Sequence, residues 1–362
     1  MSRAKRIKLI ESIEKERGSK LITYLTSTRK GWGVQMGMDA VRRIYDHLEI
    51  PSDSENVDLL LHSHGGEGIV PWRLATLIRE RAKKFSVLVP FKAFSAATLT
   101  ALGADEVVMH PMGMLGPTDA TVTNAFNPVD PTNPQARLGI SVEDVTAYIA
   151  LIKEDAGIQH EDELVKAFNR LTKQVHPLAL GNVKRSLSQS RMMAKKLLSL
   201  HMPKEKSHQI DEIVDHLTSK LYFHGHPINR QEARDHVGLA TVIDPPQRVE
   251  KLMWRLYLDY EEEMKLEEPF DIISQFLAEH PSLVAGASKI TNPQKSRLVC
   301  IESKSRADYY EVEYELYGEK PPTGPGIAAT VVRRNERWTT ETGEPKEPKK
   351  TKESNESDEA KN

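Results

Sequence analysis

The sequence has one cysteine, Cys300, among 362 residues, which excludes an intramolecular disulfide and suits a reducing cytoplasm, where we expect the protein to act. It also lacks long apolar runs, so it predicts neither a secretory signal nor a membrane span. Because the formal net charge is only −2, neither a nucleic acid nor an anionic membrane is favoured as a partner. An HExxH motif and cysteine pairs are absent, so we expect no metal and no cofactor.

Strand and helix patterns alternate through the first third of the chain. Residues 20–26 read as a strand and residues 38–48 as a helix, and two further strands follow by residue 89. This order favours an α/β fold in which helices cover both faces of a mostly parallel sheet. Right-handed crossovers would then place the carboxyl ends of the strands at one edge.

Two strand-turn-helix units between residues 57 and 119 bring chemistry to that edge. The first strand ends before Gly65 and Gly66, whose backbone N–H groups no side chain covers. The second unit places Ser95 at the predicted start of a helix that begins with Ala96. Such N–H groups can bind an oxyanion, and a serine at that position can act as a nucleophile beside them. The structural alternatives are a tight turn for the glycines and a helix N-cap for the serine.

The blocks LLLHSHGGEGIVPWRLATLIR and VPFKAFSAATLTALGADEVVMHPMGMLGPTD resemble the Clp/crotonase superfamily, and more narrowly the serine dehydrogenase proteinase family, relatives of signal peptide peptidase A. The resemblance covers residues 7–258 and includes KQVHPLALGNVKRS. It implies repeated strand-helix units, a serine peptidase activity on peptides or proteins, and a homo-oligomer. The chain departs from its relatives at His62-Ser63-His64, where they usually carry a Ser-Pro or Thr-Pro step.

Carried over to this sequence, the resemblance implies a catalytic triad of Ser95, Asp119 and His176. A serine hydroxyl needs a base to accept its proton, and a carboxylate can orient that base. The oxyanion donors would be the N–H groups of Gly65 or Gly66 and of Ala96. Taken without the resemblance, Asp119 reads equally well as a turn residue and His176 as a helix cap.

Other bases and other functions stay open. A lysine can serve as the base when burial keeps it neutral, and Lys92, Lys153 and Lys173 are candidates. His110 is a further candidate. The alternative functions are a catalytically silent peptide-binding scaffold and a crotonase-like enzyme that processes acyl-CoA through a backbone oxyanion hole.

The sequence predicts three regions. Residues 1–268 form the Clp/crotonase-like peptidase domain. Residues 269–342 contain strand patterns and are predicted to form a small β appendage. Residues 343–362 are charged and polar, so we expect a disordered tail.

Overall fold

A computed structural model of the chain describes residues 3–50, 54–118, 121–122, 124–219, 225–323 and 326–343. The helices are α1 (Arg3–Arg17), α2 (Met38–Leu48), α3 (Val70–Arg81), α4 (Ala96–Leu102), α5 (Val142–Ala150), α6 (Glu161–Gln174), α7 (Pro177–Leu198), α8 (Ser207–Ser219), α9 (Arg230–Asp235), α10 (Gln247–Met264) and α11 (Ile272–Glu279). Asp119 and most of the predicted tail lie outside the described residues.

The strands are β1 (Lys20–Thr26), β2 (Asn56–His62), β3 (Lys84–Val89), β4 (Lys92–Ala93), β5 (Glu106–Met109), β6 (Met114–Leu115), β7 (Thr121–Val122), β8 (Val129–Asp130), β9 (Asn133–Arg137), β10 (Ile140–Ser141), β11 (Ile228–Asn229), β12 (Val242–Ile243), β13 (Ser288–Ile290), β14 (Gln294–Glu302), β15 (Arg306–Glu319) and β16 (Ala328–Thr342).

Within the described residues, the central sheet has nine strands, and its parallel part runs in the order β12-β5-β3-β2-β1. Alternate residues of each buried strand face opposite sides. Ile22 packs on one side with α2, α3, α4 and α7, and Leu21 packs on the other side with α1 and α10. The predicted α/β fold with a largely parallel sheet covered on both faces is therefore confirmed.

The C-terminal strands expected beyond residue 269 are present, and they extend the central sheet. Strand β14 pairs antiparallel with β1, β15 pairs with β14, and β13 and β16 both pair with β15. Apolar side chains of β14 and β15 form a separate buried cluster, and Trp32 from the loop after β1 packs in it. Strands from before and after residue 269 therefore belong to one sheet.

A buried ionic network ties α1 to α10 and to the C-terminal strands. The guanidinium of Arg6 donates to Asp259 Oδ1 at 2.9 Å and to Glu302 Oε2 at 2.8 Å. Tyr260 donates to the same Glu302 oxygen at 2.6 Å. Arg6, Asp259 and Glu302 are each at most 1% exposed, so these charges are shielded from bulk solvent and are paired with one another.

The segment rich in proline and asparagine that follows β7 contains the short β8–β9 ladder. Helix α5 continues into a π-helical turn at Leu151–Asp155. Among the helices of the described ranges, none combines the length and the hydropathy of a membrane span.

Candidate active site

The ends of β2 and β4 bring the glycine loop and the serine together. Ser63, directly after β2, forms a parallel bridge with Ala93. In that bridge Ser63 N donates to Lys92 O at 2.9 Å and Phe94 N donates to Ser63 O at 3.0 Å. Two residues beyond the bridge on each chain segment lie Gly65 and Ser95, so they meet at the edge of the sheet that the sequence indicated.

Ser95 has a backbone conformation that few residues with a side chain adopt. Its φ is 51° and its ψ is −113°, and in the described part of the chain only Lys265 shares a positive φ without being glycine. The serine precedes α4, but its side chain does not cap the helix. The Ser95 hydroxyl makes no hydrogen bond with a described protein group, so the N-cap interpretation does not account for it. Strain of this kind tends to be kept where function requires it.

The two glycines allow a close approach that no other residue would permit. A Cβ on Gly65, whose φ is +105°, would lie 2.8 Å from Ser95 Cβ and 2.9 Å from Phe94 O. A Cβ on Gly66 would lie 2.3 Å from Met36 O. Met36 N donates to Gly65 O at 2.8 Å, so the loop before α2 holds the glycine loop from the other side.

The three predicted oxyanion donors differ in how their N–H groups are used. The N–H of Gly65 donates to Ser63 Oγ at 3.0 Å, and Ser63 Oγ is also 2.7 Å from Thr26 Oγ1. The N–H groups of Gly66 and Ala96 donate to no protein acceptor in the described ranges. They therefore stay available to a bound group, whereas Gly65 N–H does not.

A cavity of about 160 Å³ opens beside Ser95. Its walls come from the glycine loop (Gly66, Gly68), the start of α4 (Ser95, Ala96, Leu99), the residue before the undescribed Asp119 (Thr118) and the middle of α7 (Ser186, Gln189, Ser190). Thr118 is 2% exposed and its Oγ1 has no hydrogen-bond partner. The described walls contain hydroxyl and amide groups but neither histidine nor lysine, so the base for Ser95 is not among them.

A sequence profile of the ClpP-like SDH-type serine proteinases matches residues 1–176, the part that contains the glycine loop and Ser95. The match spans just under half of the chain, and over these residues the chain is similar to the ClpP-like SDH-type serine proteinases. The family and its fold agree with the resemblance drawn from the sequence.

Two uncharacterised proteins of Methanocaldococcus jannaschii are similar to the chain. One is 28% identical over 172 residues, which is 45% of this chain and 58% of that protein, less than two thirds of its length. The other is 25% identical over 256 residues, 68% of this chain and 77% of that protein. Two structures of mutants of the 1510-N membrane-bound stomatin-specific protease, one with a substrate peptide, also match. Their identities are 14% and 13%, they cover 57% of this chain and 72% and 68% of those chains, and their TM-scores are 0.32 and 0.33.

The structure places His176, the base predicted from the sequence, away from the cavity. It caps α7, accepting from Leu178 N through Nδ1 at 3.2 Å, and its exposed ring stacks on Phe126 with centroids 4.9 Å apart. The nearest cavity residue on α7, Ser186, is ten positions further along the helix, a rise of about 15 Å. The structure therefore brings Gly66, Ser95 and Ala96 together without His176.

The other candidate bases also lie outside the cavity walls. Lys153 and Lys173 are exposed, and the Lys92 ammonium lies 4.6 Å from the centre of the Phe91 ring. His110 is 7% exposed and stacks on Trp254.

His62 and Ser63, where the chain departs from its relatives, have structural contacts. Burial, with smaller effects of His64 and Lys92, lowers the pKa of His62 to about 3, so its ring is neutral. Its Nδ1 accepts from Lys92 N at 3.3 Å, and Nε2 lies 3.1 Å from Thr28 Oγ1. Ser63 fixes Gly65 as described above. These two residues therefore fix the conformation of the glycine loop. The sequence alone could not reveal this role, because it depends on contacts with residues that are distant in the chain.

The structure contains a Ser-His-Asp arrangement that the sequence analysis did not predict, formed by Ser303, His47 and Asp308. His47 Nδ1 lies 2.8 Å from Ser303 Oγ, and His47 Nε2 lies 3.1 Å from Asp308 Oδ2. Burial lowers the pKa of His47 despite the hydrogen bond to Asp308. Ser303 is 2% exposed and the other two are fully buried, so a peptide cannot reach this serine. The arrangement joins α2 to the β14–β15 turn.

Proposed function

We propose that the protein is a serine peptidase that forms an acyl-enzyme on Ser95. The observation that carries the proposal is the conformation of Ser95, a strained and unbonded serine at the mouth of a cavity. The positive end of α4 and two unused N–H groups lie beside it, which is the environment that a developing oxyanion needs. The match of residues 1–176 to a family of serine proteinases supports the same chemistry.

The proposed reaction begins when Ser95 Oγ attacks the carbonyl carbon of a peptide bond and a base accepts the hydroxyl proton. The carbonyl oxygen becomes an oxyanion that accepts hydrogen bonds from Gly66 N–H and Ala96 N–H. The C–N bond then breaks, the amine leaves with the proton from the base, and the ester remains on Ser95. Water hydrolyses that ester with the help of the same base.

The base is the part of the proposal that needs a rearrangement. A general base must come within about 3 Å of the serine oxygen, although apo structures often hold catalytic groups apart. His176 fulfils the predicted role only when the N-terminal end of α7 closes toward Ser95. Asp119 follows Thr118, which lines the cavity, and it retains its predicted role of orienting the base. We also propose the cytoplasmic homo-oligomer that the sequence led us to expect.

One observation favours a second candidate function, a catalytically silent peptide-binding scaffold. The described cavity walls contain no group that can accept a proton from Ser95 near neutral pH. Such a protein would still use the cavity and the free N–H groups to hold an extended peptide.

Labelling with a fluorophosphonate probe separates the two functions, because it requires an activated serine but no known substrate. We expect an adduct on Ser95, located by mass spectrometry, that Ser95→Ala abolishes. Ser186→Ala is the matched control, since it removes a hydroxyl from the same cavity, and it should label as the unmodified chain does. A folded protein without labelling would exclude the acyl-enzyme proposal and favour the scaffold.

A further inference from the structure

A second cavity, of about 350 Å³, lies away from Ser95, between the loop after β1, the end of α10 and strands β14 and β15. Its volume lies in the range of small-ligand pockets. Four cationic side chains line it, and only two carboxylates accompany them. The cations are Arg29, Lys265, Lys295 and Arg297, and the carboxylates are Glu263 and Glu311.

The two carboxylates are already used by two of these cations. Glu311 lies 2.8 Å from Lys295 Nζ and 3.1 Å from Arg297 Nε. Glu263 contacts Arg297 and also Arg6 of the buried network. The cavity walls therefore keep a surplus of positive charge that comes from Arg29 and Lys265.

Arg29 is a buried cation that forms no ion pair with a described carboxylate. It is 7% exposed, its Nε donates to the main-chain oxygen of Glu268 at 2.6 Å, and its guanidinium lies 5.1 Å from the centre of the Phe270 ring. No carboxylate of the described ranges lies within ion-pair distance of it. Burial lowers the pKa of the Arg29 guanidinium, and the nearby Tyr314 and Glu268 offset this only in part. A buried charge of this kind costs stability unless an ion compensates it.

Lys265, which is exposed, is the second cation of the cavity outside these ion pairs. It ends α10 with φ 52° and ψ 44°, the left-handed conformation in which glycine is the common residue. No ion pair with a described carboxylate holds its side chain. The chain thus keeps a lysine beside the cavity at a position where glycine would be less strained.

We propose that this cavity binds the oxyanion of a small organic acid or phosphate ester, with Arg29 as the primary ligand and Lys265 as the second cation. Arginine donates two parallel hydrogen bonds to carboxylate or phosphate oxygens. The hydroxyl of Ser296 and the amide of Gln275 line the same cavity and can donate further bonds. The volume leaves room for an organic group attached to the oxyanion.

Calorimetric titration of the full chain tests the proposal at constant ionic strength, with inorganic phosphate in one arm and succinate in the other. We expect saturable binding of at least one of them, and the arm that binds identifies phosphate or carboxylate. Arg29→Met should weaken the Kd by about tenfold or more, because it removes the bidentate donor. Lys265→Gly should weaken it by about threefold while relieving the strained backbone. Arg248→Met, which changes an arginine with a 70% exposed side chain, is the matched control and should leave binding unchanged.

Thermal unfolding gives a readout that a structural role of Arg29 would not produce. Without anion, Arg29→Met should have a higher Tm than the unmodified chain, because an uncompensated buried charge is gone. The anion that binds should raise the Tm of the unmodified chain and not that of Arg29→Met. The proposal is overturned when neither anion binds saturably to the unmodified chain, or when all variants bind and are stabilised alike, as in a general salt effect. It is also overturned when Arg29→Met lowers the Tm in the absence of anion.

Discussion

Replacing Gly65 by alanine tests the geometry on which the candidate active site depends. The added Cβ would lie 2.8 Å from Ser95 Cβ, 2.9 Å from Phe94 O and 3.0 Å from Ala96 N. Two of these three atoms belong to the backbone, so a flexible side chain cannot move aside for all of them. The substitution therefore pushes against Ser95 and against Ala96 N–H, one of the two proposed oxyanion donors.

The cost has two parts. Alanine at a φ of +105° adds backbone strain of about 1–3 kcal/mol. Overpacking of the kind described above adds about 1–3 kcal/mol. We expect Gly65→Ala to lower the free energy of unfolding by about 2–6 kcal/mol, a large part of the roughly 5–15 kcal/mol that holds a typical protein folded.

Urea unfolding and the rate of fluorophosphonate labelling measure the two consequences. A displacement of Ser95 by about 1 Å should lower the labelling rate by about 100-fold in whatever fraction stays folded. Gly68→Ala is the matched control, because it adds the same methyl group in the same loop and meets only Gln189 Nε2, at 4.0 Å. If Gly65→Ala and Gly68→Ala unfold and label alike, the close approach of Ser95 to Gly65 is refuted.

Three further changes probe the base and the buried charges. His176→Ala should lower the labelling rate by about 100-fold or more if the end of α7 closes on Ser95, and an unchanged rate in the folded variant would assign the base to another residue. Arg6→Met should lower the free energy of unfolding in urea by about 3–5 kcal/mol because it leaves Glu302 buried without its partner, and a cost below about 1 kcal/mol, as for an exposed pair, would contradict this. Burial would raise the pKa of Asp308, but hydrogen bonds from His47, Arg306 and Thr340 hold it well below its usual value. Asp308→Asn should therefore lower the free energy of unfolding by its full amount above about pH 5, and this loss should shrink as the pH falls below about 4. A loss that is the same at all pH values would refute the lowered pKa of Asp308.

The parts of the fold that depend on local pattern could be predicted from the sequence. The strand at residues 20–26 and the helix at residues 38–48 have the predicted bounds, since apolar spacing and flanking turn residues fix them without distant partners. The same reasoning placed Gly65 and Ser95 at one edge of the sheet, because parallel strands with right-handed crossovers allow few alternatives.

Contacts between distant segments could not be predicted in this way. Pro177, which is favoured at the first position of a helix, allowed the cap at His176 to be predicted. The turn of α7 that faces Ser95 could not be predicted, because it depends on how the whole helix packs. Its face carries Ser186 and Ser190, about 90 residues after Ser95 in the chain, and no local pattern marks them. The pairing of β14 with β1 is equally non-local, so the sequence predicts the C-terminal strands but not the sheet that they join.

The position of Ser95 must be maintained by contacts that form with the fold itself. Its strained conformation would relax unless the neighbouring backbone were fixed. Thr98 Oγ1 donates to Ala93 O at 2.7 Å and accepts from Gly116 N at 3.0 Å, which anchors the segments on both sides of α4. Ser63 and Met36 hold the glycine loop on the opposite side. Because these contacts all lie within the protein, we expect them to hold the proposed oxyanion donors in position without a bound peptide. The proposed mechanism then requires only that a base be brought to Ser95.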